Sequence, residues 1–447
     1  MSRRPIAIAI AASISLGCSV DPLPPEGQVL LYVDTDAWLP DPRDPDRDAP
    51  PLFDRLRIEI FEPGAAEPCA DCTREFGVDH PTVFAGEASV GIVPRAGEDG
   101  YRARVRLYRV GGADLVDPRP TSTLEAVVRL PVVRAEGIVE THIVLRTDDL
   151  GAPQGSLDAP IDPSAGRAPG GLAGTWAKDT RRACSGAPAA GEVCVRGGAY
   201  WMGDLTIGDA YGDTLSERLV VVSPYYLGAS EVTVADWRAS GMAVFGNLFP
   251  HSASNPLCTY TTAAGDSEQR PVNCITREAA EAYCAARGAR LPTEAEWEYV
   301  ASARRSAHAV WGDDPARCED AIFGRNGDFG VPAATKECLA TGEGPAAAGS
   351  GARDRLAIGG GAIVDLAGNL SEWMADAWAE EGEPCWSGPI LRDPRCQSGS
   401  DPPGYLIRGA SFEHAGSNLR AALRARVDAD GKPLSVIIGF RCARGGG

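Results

Sequence analysis

Positive charge and histidine are both scarce in this chain. Its 447 residues carry 43 Lys and Arg against 61 Asp and Glu, a formal charge of −18, and only five histidines. A surface this acidic repels phosphate backbones and anionic headgroups, and no basic stripe offsets it on one face, so nucleic acid is not an expected partner. His80, His142, His251, His308 and His414 show no ligand spacing, which argues against an iron site of two histidines and a carboxylate. There is no G-x-S-x-G elbow and no H-E-x-x-H pair, and Gly359 to Gly361 lack the strand-to-helix setting of a phosphate loop. No repeat of fixed period occurs.

Glycine, proline and cysteine are plentiful. The 52 Gly and 35 Pro point to turns and loops rather than a helical bundle, and the length suggests about two or three domains. At the start, Arg3 and Arg4 precede an apolar stretch from Ile6 to Leu16 that is too short to span a bilayer, followed by Gly17 and Cys18. This resembles a bacterial lipoprotein signal, which implies that Cys18 is lipidated and that the protein is exported and anchored to the envelope, periplasmic or at the cell surface. Plain secretion is the alternative, because Ser15 and Leu16 stand in a shifted order. Of 13 cysteines, 13 − 1 = 12 remain after Cys18, an even number that favours pairing in an oxidising compartment. They fall in close couples: 69 with 72, 184 with 194, 258 with 274, 318 with 338 and 385 with 396, leaving Cys284 and Cys442 far apart. The single C-x-x-C lacks the second pair that a structural zinc site needs.

Residues 19–27 form a Pro-rich tether. Between 28 and 147, strand-like runs at Val29–Val33, Leu56–Phe61, Ala88–Val93, Tyr101–Val110, Leu124–Val133 and Ile138–Leu145 predict a small all-β sandwich. The alternation from Arg102 to Tyr108 suits a sheet with one wet face. Residues 148–178, poor in large apolar side chains, read as a flexible linker. Beyond them the spacing predicts helices over Arg277–Arg287 and from Thr293, where Thr293 and Glu296 make a capping box.

Eight strings follow in order: Gly197 to Gly203 (GGAYWMG), Glu231 to Trp237 (EVTVADW), Pro271 to Cys274 (PVNC), Arg290 to Tyr299 (RLPTEAEWEY), Trp311-Gly312, Asp365 to Trp373 (DLAGNLSEW), Arg408 to Phe412 (RGASF) and Gly439 to Cys442 (GFRC). Together they resemble the formylglycine-generating enzyme family, the sulfatase-modifying factor domain, over residues 179–444. The resemblance implies an α+β, C-type-lectin-like fold with long irregular loops. It also implies a bridge between Cys284 and Cys442, and a calcium site at Asp365, Gly368, Leu370 and Glu372, where a hard cation would take carboxylate and carbonyl oxygens. A second calcium site of the family would fall near Asp320 to Phe329, but that string departs from the pattern. Trp297, Trp311 and Trp373 read as core residues.

The family's enzymes oxidise a protein cysteine with two cysteines that bind Cu(I), a soft ion suited to thiolates. Those cysteines precede the terminal G-F-R string, yet the interval from Arg408 to Arg441 contains none. Copper is therefore not expected. The reading is an exported non-oxidase module, a pseudoenzyme that binds a protein, peptide or glycan, or scaffolds a complex, at the envelope. The alternative is a formylglycine-generating or related oxidase with copper held another way, and a weaker one places a metal at Glu413 and His414.

Overall fold

The computed structural model of the chain describes residues 27–43, 50–110, 118–134, 136–179, 181–204, 215–244, 246–327, 336–398, 403–428 and 435–447. The signal-like segment and Cys18 lie outside them. The first part carries strands β1 (Gln28–Thr35), β2 (Arg55–Phe61), β3 (Thr73–Gly77), β4 (Ser89–Ile92), β5 (Arg102–Tyr108), β6 (Leu124–Arg129), β7 (Ile138–Leu145) and β8 (Ser164–Ala165). Between β3 and β4 lies a short helix, α1 (His80–Phe84), whose N-terminus is capped by the Asp79 carboxylate accepting from Thr82 N–H at 2.9 Å. The strands form two sheets, in the orders β4-β1-β7-β8 and β3-β2-β5-β6, with β1 and β7 parallel. One apolar cluster draws on both sheets: Val29, Leu31 and Ile143 from the first, and Ile58, Val105 and Ala126 from the second.

Two expectations are corrected here. The face of β5 opposite Val105 is not wet: Arg102 and Arg106 are buried, because Arg106 pairs with Glu59 at 2.8 Å and Arg102 donates to the carbonyls of Glu62, Ala65 and Leu157. The segment 148–178 does not run free as a linker. Val127 N–H donates to Gln154 O, Arg129 N–H to Ile161 O, and Thr141 pairs with Ala165. Its few large apolar side chains suffice, since Leu150 and Trp176 sink into the shared core and the sheet edges satisfy its backbone.

The second part is sheet-rich with few helices, an α+β arrangement. It begins with β9 (Glu192–Val195), β10 (Gly198–Met202), β11 (Arg218–Val222) and β12 (Tyr225–Gly228), followed by α2 (Val234–Ser240), α3 (Arg277–Ala285) and α4 (Glu294–Ala301). Then come β13 (Arg355–Ile358), β14 (Gly361–Val364), β15 (Ser371–Ala377), β16 (Ile390–Arg392), β17 (Gly404–Arg408), β18 (Arg424–Asp428), β19 (Ile438–Gly439) and β20 (Ala443–Gly445). The largest sheet of this part runs β18-β17-β15-β19. α4 starts as the sequence predicts, with the Thr293–Glu296 capping box formed, and all eight of its residues are buried. α3 ends two residues before the predicted Arg287.

All twelve described cysteines are paired, in the five close couples and in Cys284–Cys442, which spans 158 positions against 3 to 20 for the others. The two parts meet through Trp201 of β10. Its indole donates to Leu52 O at 2.7 Å, its ring meets Phe53 edge-on, and it packs in the first part's core with Leu219 and Val221. No helix among the described residues is long and apolar enough to cross a membrane.

Candidate functional site

The loop from β14 into β15 holds Asp365, Gly368 and Leu370 of the residues expected to bind calcium, and Glu372 follows as the second residue of β15. The loop is a tight turn: Asp365 and Asn369 have positive φ, 55° and 73°, and a Cβ on Gly368 would lie 2.6 Å from Ile322 O. Its amides are taken by two buried acids. Asp354 accepts from Leu366, Ala367 and Gly368 at 2.8–3.0 Å, and Glu231 accepts from Leu370 N–H and the Asn369 side chain at 2.9 Å. Glu372 is fully buried and accepts from Arg441 at both oxygens, with Nε at 2.8 Å and Nη2 at 2.7 Å. Arg441 Nη2 also donates to the carbonyls of Val364 and Asp365 at 2.9 Å.

Four carboxylates thus surround one guanidinium in a dry site. Burial, with Asp354 beside it, pushes the Asp365 carboxyl up to about 7, and burial pushes Asp354 up to about 6. Glu231 is raised by burial and then by Asp365 and Glu372. The structure brings Asp365, Gly368 and Leu370 onto one turn with Glu372 at the start of the next strand, but differs over Glu372, whose oxygens already face a cation. What this turn offers a calcium ion is Asp365 Oδ1, buried with no partner, and a Glu372 carboxylate shared with Arg441.

Where the family's chemistry would sit, β17 delivers Arg408 into α4: it bonds Glu294 at 3.3 Å and Glu298, and Arg424 joins Glu294 at 2.8 Å. The turn that follows folds on itself. Ser411 N–H donates to His414 Nδ1 at 3.0 Å, and Ser411 Oγ lies 2.8 Å from the same nitrogen. Burial lowers the His414 pKa and raises that of Glu413. The His414 Nδ1 is thus taken up in capping this turn, which leaves Nε2 as the ring nitrogen open to a metal at Glu413 and His414. Ser411 is fully buried, which denies a substrate approach to the Ser–His contact.

Beside this turn lies a cleft of about 390 Å³ that the sequence reading missed. Its walls include His308, Trp311, Asp313, Glu337, Gly416 and Arg420. Asp204 anchors one side, pairing with Arg420 at 3.3 Å and with His308 Nε2 at 3.4 Å. Glu337 accepts from Gly416 N–H and so ties the loop after Arg408 to the cleft rim. Trp297 and Trp373 are core residues as expected, but Trp311 is only half-buried and faces the cleft, its indole donating to Asp314 O at 3.0 Å. The Trp311-Gly312 string was the available signal.

Asp376 of β15 ties α4 to the Cys396 segment by accepting from Glu294 N–H at 2.9 Å and Cys396 N–H at 2.7 Å. Burial, with Glu294 nearby, raises its carboxyl to about 7 from an ordinary 3.8. The folded chain therefore holds this proton longer than the unfolded one, so stability is greatest below about pH 4 as far as this group is concerned and falls as pH rises toward 7. Asp376→Asn is expected to flatten that part of the stability-against-pH curve between pH 4 and 7, as read by chemical melts. An unchanged slope would remove this assignment.

Residues 177–445 match the sulfatase-modifying factor enzyme 1-like domain. A formylglycine-generating enzyme of Thermomonospora curvata is 32% identical over 188 residues, covering 40% of this chain and 56% of that protein, so the chain spans little more than half of this relative's length. Among solved structures, PvdO from Pseudomonas aeruginosa is similar at a TM-score of 0.39 and 19% identity, covering 57% of this chain and 94% of that one. The Treponema denticola variable protein 1 gives 0.37 and 19%, over 58% of this chain and all of that one.

Proposed function

The chain belongs to the sulfatase-modifying factor enzyme 1-like family, and from that premise we propose that it is a binding or scaffold module of the cell envelope and not an oxidase. The observation that carries this reading concerns cysteine. The interval from Arg408 to Arg441 has none, and each of the twelve described cysteines is held in a disulfide. Cu(I) is soft and takes thiolates, so this chain offers it no reduced pair where the family's chemistry sits. In place of a thiolate pair there is the cleft with Trp311 on one wall and Arg420 on another, a mixture of flat apolar surface and charge suited to a peptide or glycan.

A titration of the purified chain with Cu(I) against a coloured chelator tests this. The expected result is no stoichiometric uptake, and one copper per chain held against the chelator would overturn the reading. The 32% identity to a formylglycine-generating enzyme favours the second reading, an oxidase acting on a protein cysteine through another copper site.

Export and a lipid anchor at Cys18 belong to the same proposal, and six disulfides fit an oxidising compartment. Calcium at Asp365, Gly368, Leu370 and Glu372 would lock the β14–β15 turn by neutralising Asp365. The support is the unpartnered Asp365 Oδ1. At a calcium concentration of 100 Kd, binding is expected to add about 2.7 kcal/mol of stability, which a chelator removes. Asp365→Asn should lose that increment, and an equal calcium effect in this variant would eliminate the site.

A further inference from the structure

Outside the family match, the first part carries a disulfide at the mouth of a groove. β3 and β4 are the outer strands of their sheets, each with one neighbour among the described residues, and they face one another across a channel with an apolar strip and charged rims that include Glu62, Asp71, Arg74 and Glu87. Ile58, Phe76 and Val90 line both halves of this channel, about 690 and 200 Å³ in volume. Phe76 and Val93 remain 38% and 58% exposed. Two strand edges flanking an apolar strip of Ile58, Phe76 and Val90 are the walls an extended polypeptide needs.

Cys69 and Cys72 line the larger half, and both are half-buried. Backbone hydrogen bonds hold their turn alongside the covalent link. Cys69 N–H donates to Ile60 O at 3.0 Å, Ile60 N–H donates to Cys72 O at 3.2 Å, and Cys72 N–H closes back on Cys69 O at 3.0 Å. Opening the bridge would leave both cysteines in register on β2. Arg74, two residues from Cys72, donates to the carbonyls of Asp71 and Thr73, while Arg95 on the same groove pairs with Glu62 at 3.2 Å, so the charge around the bridge is mixed. Four of the other five bridges bury at least one cysteine completely, and the fifth, Cys184–Cys194, spans 10 positions instead of 3.

We propose that Cys69–Cys72 is an exchangeable disulfide whose substrate is a cysteine-bearing extended polypeptide seated between β3 and β4. A thiolate of the polypeptide attacks Cys69 Sγ, the Cys69–Cys72 bond breaks, and Cys72 leaves as a thiolate and takes a proton from water. A second thiol of the polypeptide then attacks the mixed disulfide and releases Cys69. Two electrons and two protons pass from the polypeptide dithiol, which leaves oxidised, to Cys69 and Cys72.

The test incubates the full oxidised chain with a reduced apolar peptide containing two cysteines, then alkylates free thiols and maps them by mass spectrometry. One disulfide per chain is expected to transfer, with label on Cys69 and Cys72 and none on the other ten paired cysteines. Cys69→Ser with Cys72→Ser should abolish the transfer. Phe76→Ser, at an exposed position, should slow the peptide reaction by about tenfold while leaving reduction by a small dithiol unchanged. A bridge that stays oxidised until the chain unfolds would overturn the proposal. Equal effects of Phe76→Ser on peptide and small dithiol would overturn the polypeptide as substrate.

Discussion

Arg441→Met is expected to destabilise the fold by roughly 3 to 5 kcal/mol, the largest effect of any single substitution considered. The guanidinium is fully buried and bonds both oxygens of Glu372 along with the carbonyls of Val364 and Asp365. Removing it leaves Glu372 buried without its cation, and the carbonyls of Val364, Asp365 and Gly228 each lose a donor. Desolvation makes such a group far more costly than the intact pair is valuable. Two consequences separate this account from simple loss of packing. Adding Glu372→Gln to Arg441→Met should recover part of the loss, because the uncompensated charge goes with it. Calcium should protect Arg441→Met more than the parent chain, because Glu372 is then free to serve as a full ligand. Chemical melts of the single and double variants, with calcium and with chelator, measure both. A loss under 1 kcal/mol for Arg441→Met would show that the four acids are not held by this cation.

The second large effect belongs to the long-range bridge. Replacing Cys284 and Cys442 together by serine is expected to cost 2 to 5 kcal/mol, the chain-entropy ceiling for a loop of 158 positions being about 5 kcal/mol. The bridge joins α3 to the residue after Arg441, so it also fixes the strand end that presents the guanidinium. Removing Cys258–Cys274, which spans 16 positions, should cost less, about 3 kcal/mol in the same account. Calorimetric melts rank the two. A smaller loss for the long bridge than for the short one would contradict the loop argument.

How far the fold could be read beforehand follows from which signals are local. Val29–Val33 and Ile138–Leu145 are β-rich runs and became β1 and β7 within a few residues. The Thr293–Glu296 capping box is a four-residue pattern and marked the start of α4. β3 escaped notice because Thr73–Gly77 has one large apolar residue, Phe76, and owes its strand to pairing with β2. The segment 148–178 looked unstructured because its order comes from the edges of β6 and β7, not from its own side chains. Arg102 and Arg106 suggested a wet face, since alternation does not reveal that Glu59 and nearby carbonyls take up their charge.

The candidate site divides the same way. The motif Asp365 to Trp373 placed three residues on one turn and Glu372 at the start of the next strand, but nothing local to it shows that Arg441, 69 positions beyond Glu372, occupies that carboxylate. The cleft by Trp311 needs His308, Glu337 and Arg420 from separate stretches, and no spacing rule joins them. The cysteine-free interval from Arg408 to Arg441 was plain in the sequence. The structure adds that the cysteines elsewhere among the described residues are committed to bridges.

The claim that this family member is not an oxidase is tested most directly by turnover. The chain, supplied with Cu(I), oxygen and a sulfatase-type peptide containing a cysteine, is assayed for aldehyde with an aminooxy probe. The account predicts an unmodified cysteine and no probe adduct. Aldehyde accumulating beyond one equivalent per chain would contradict it.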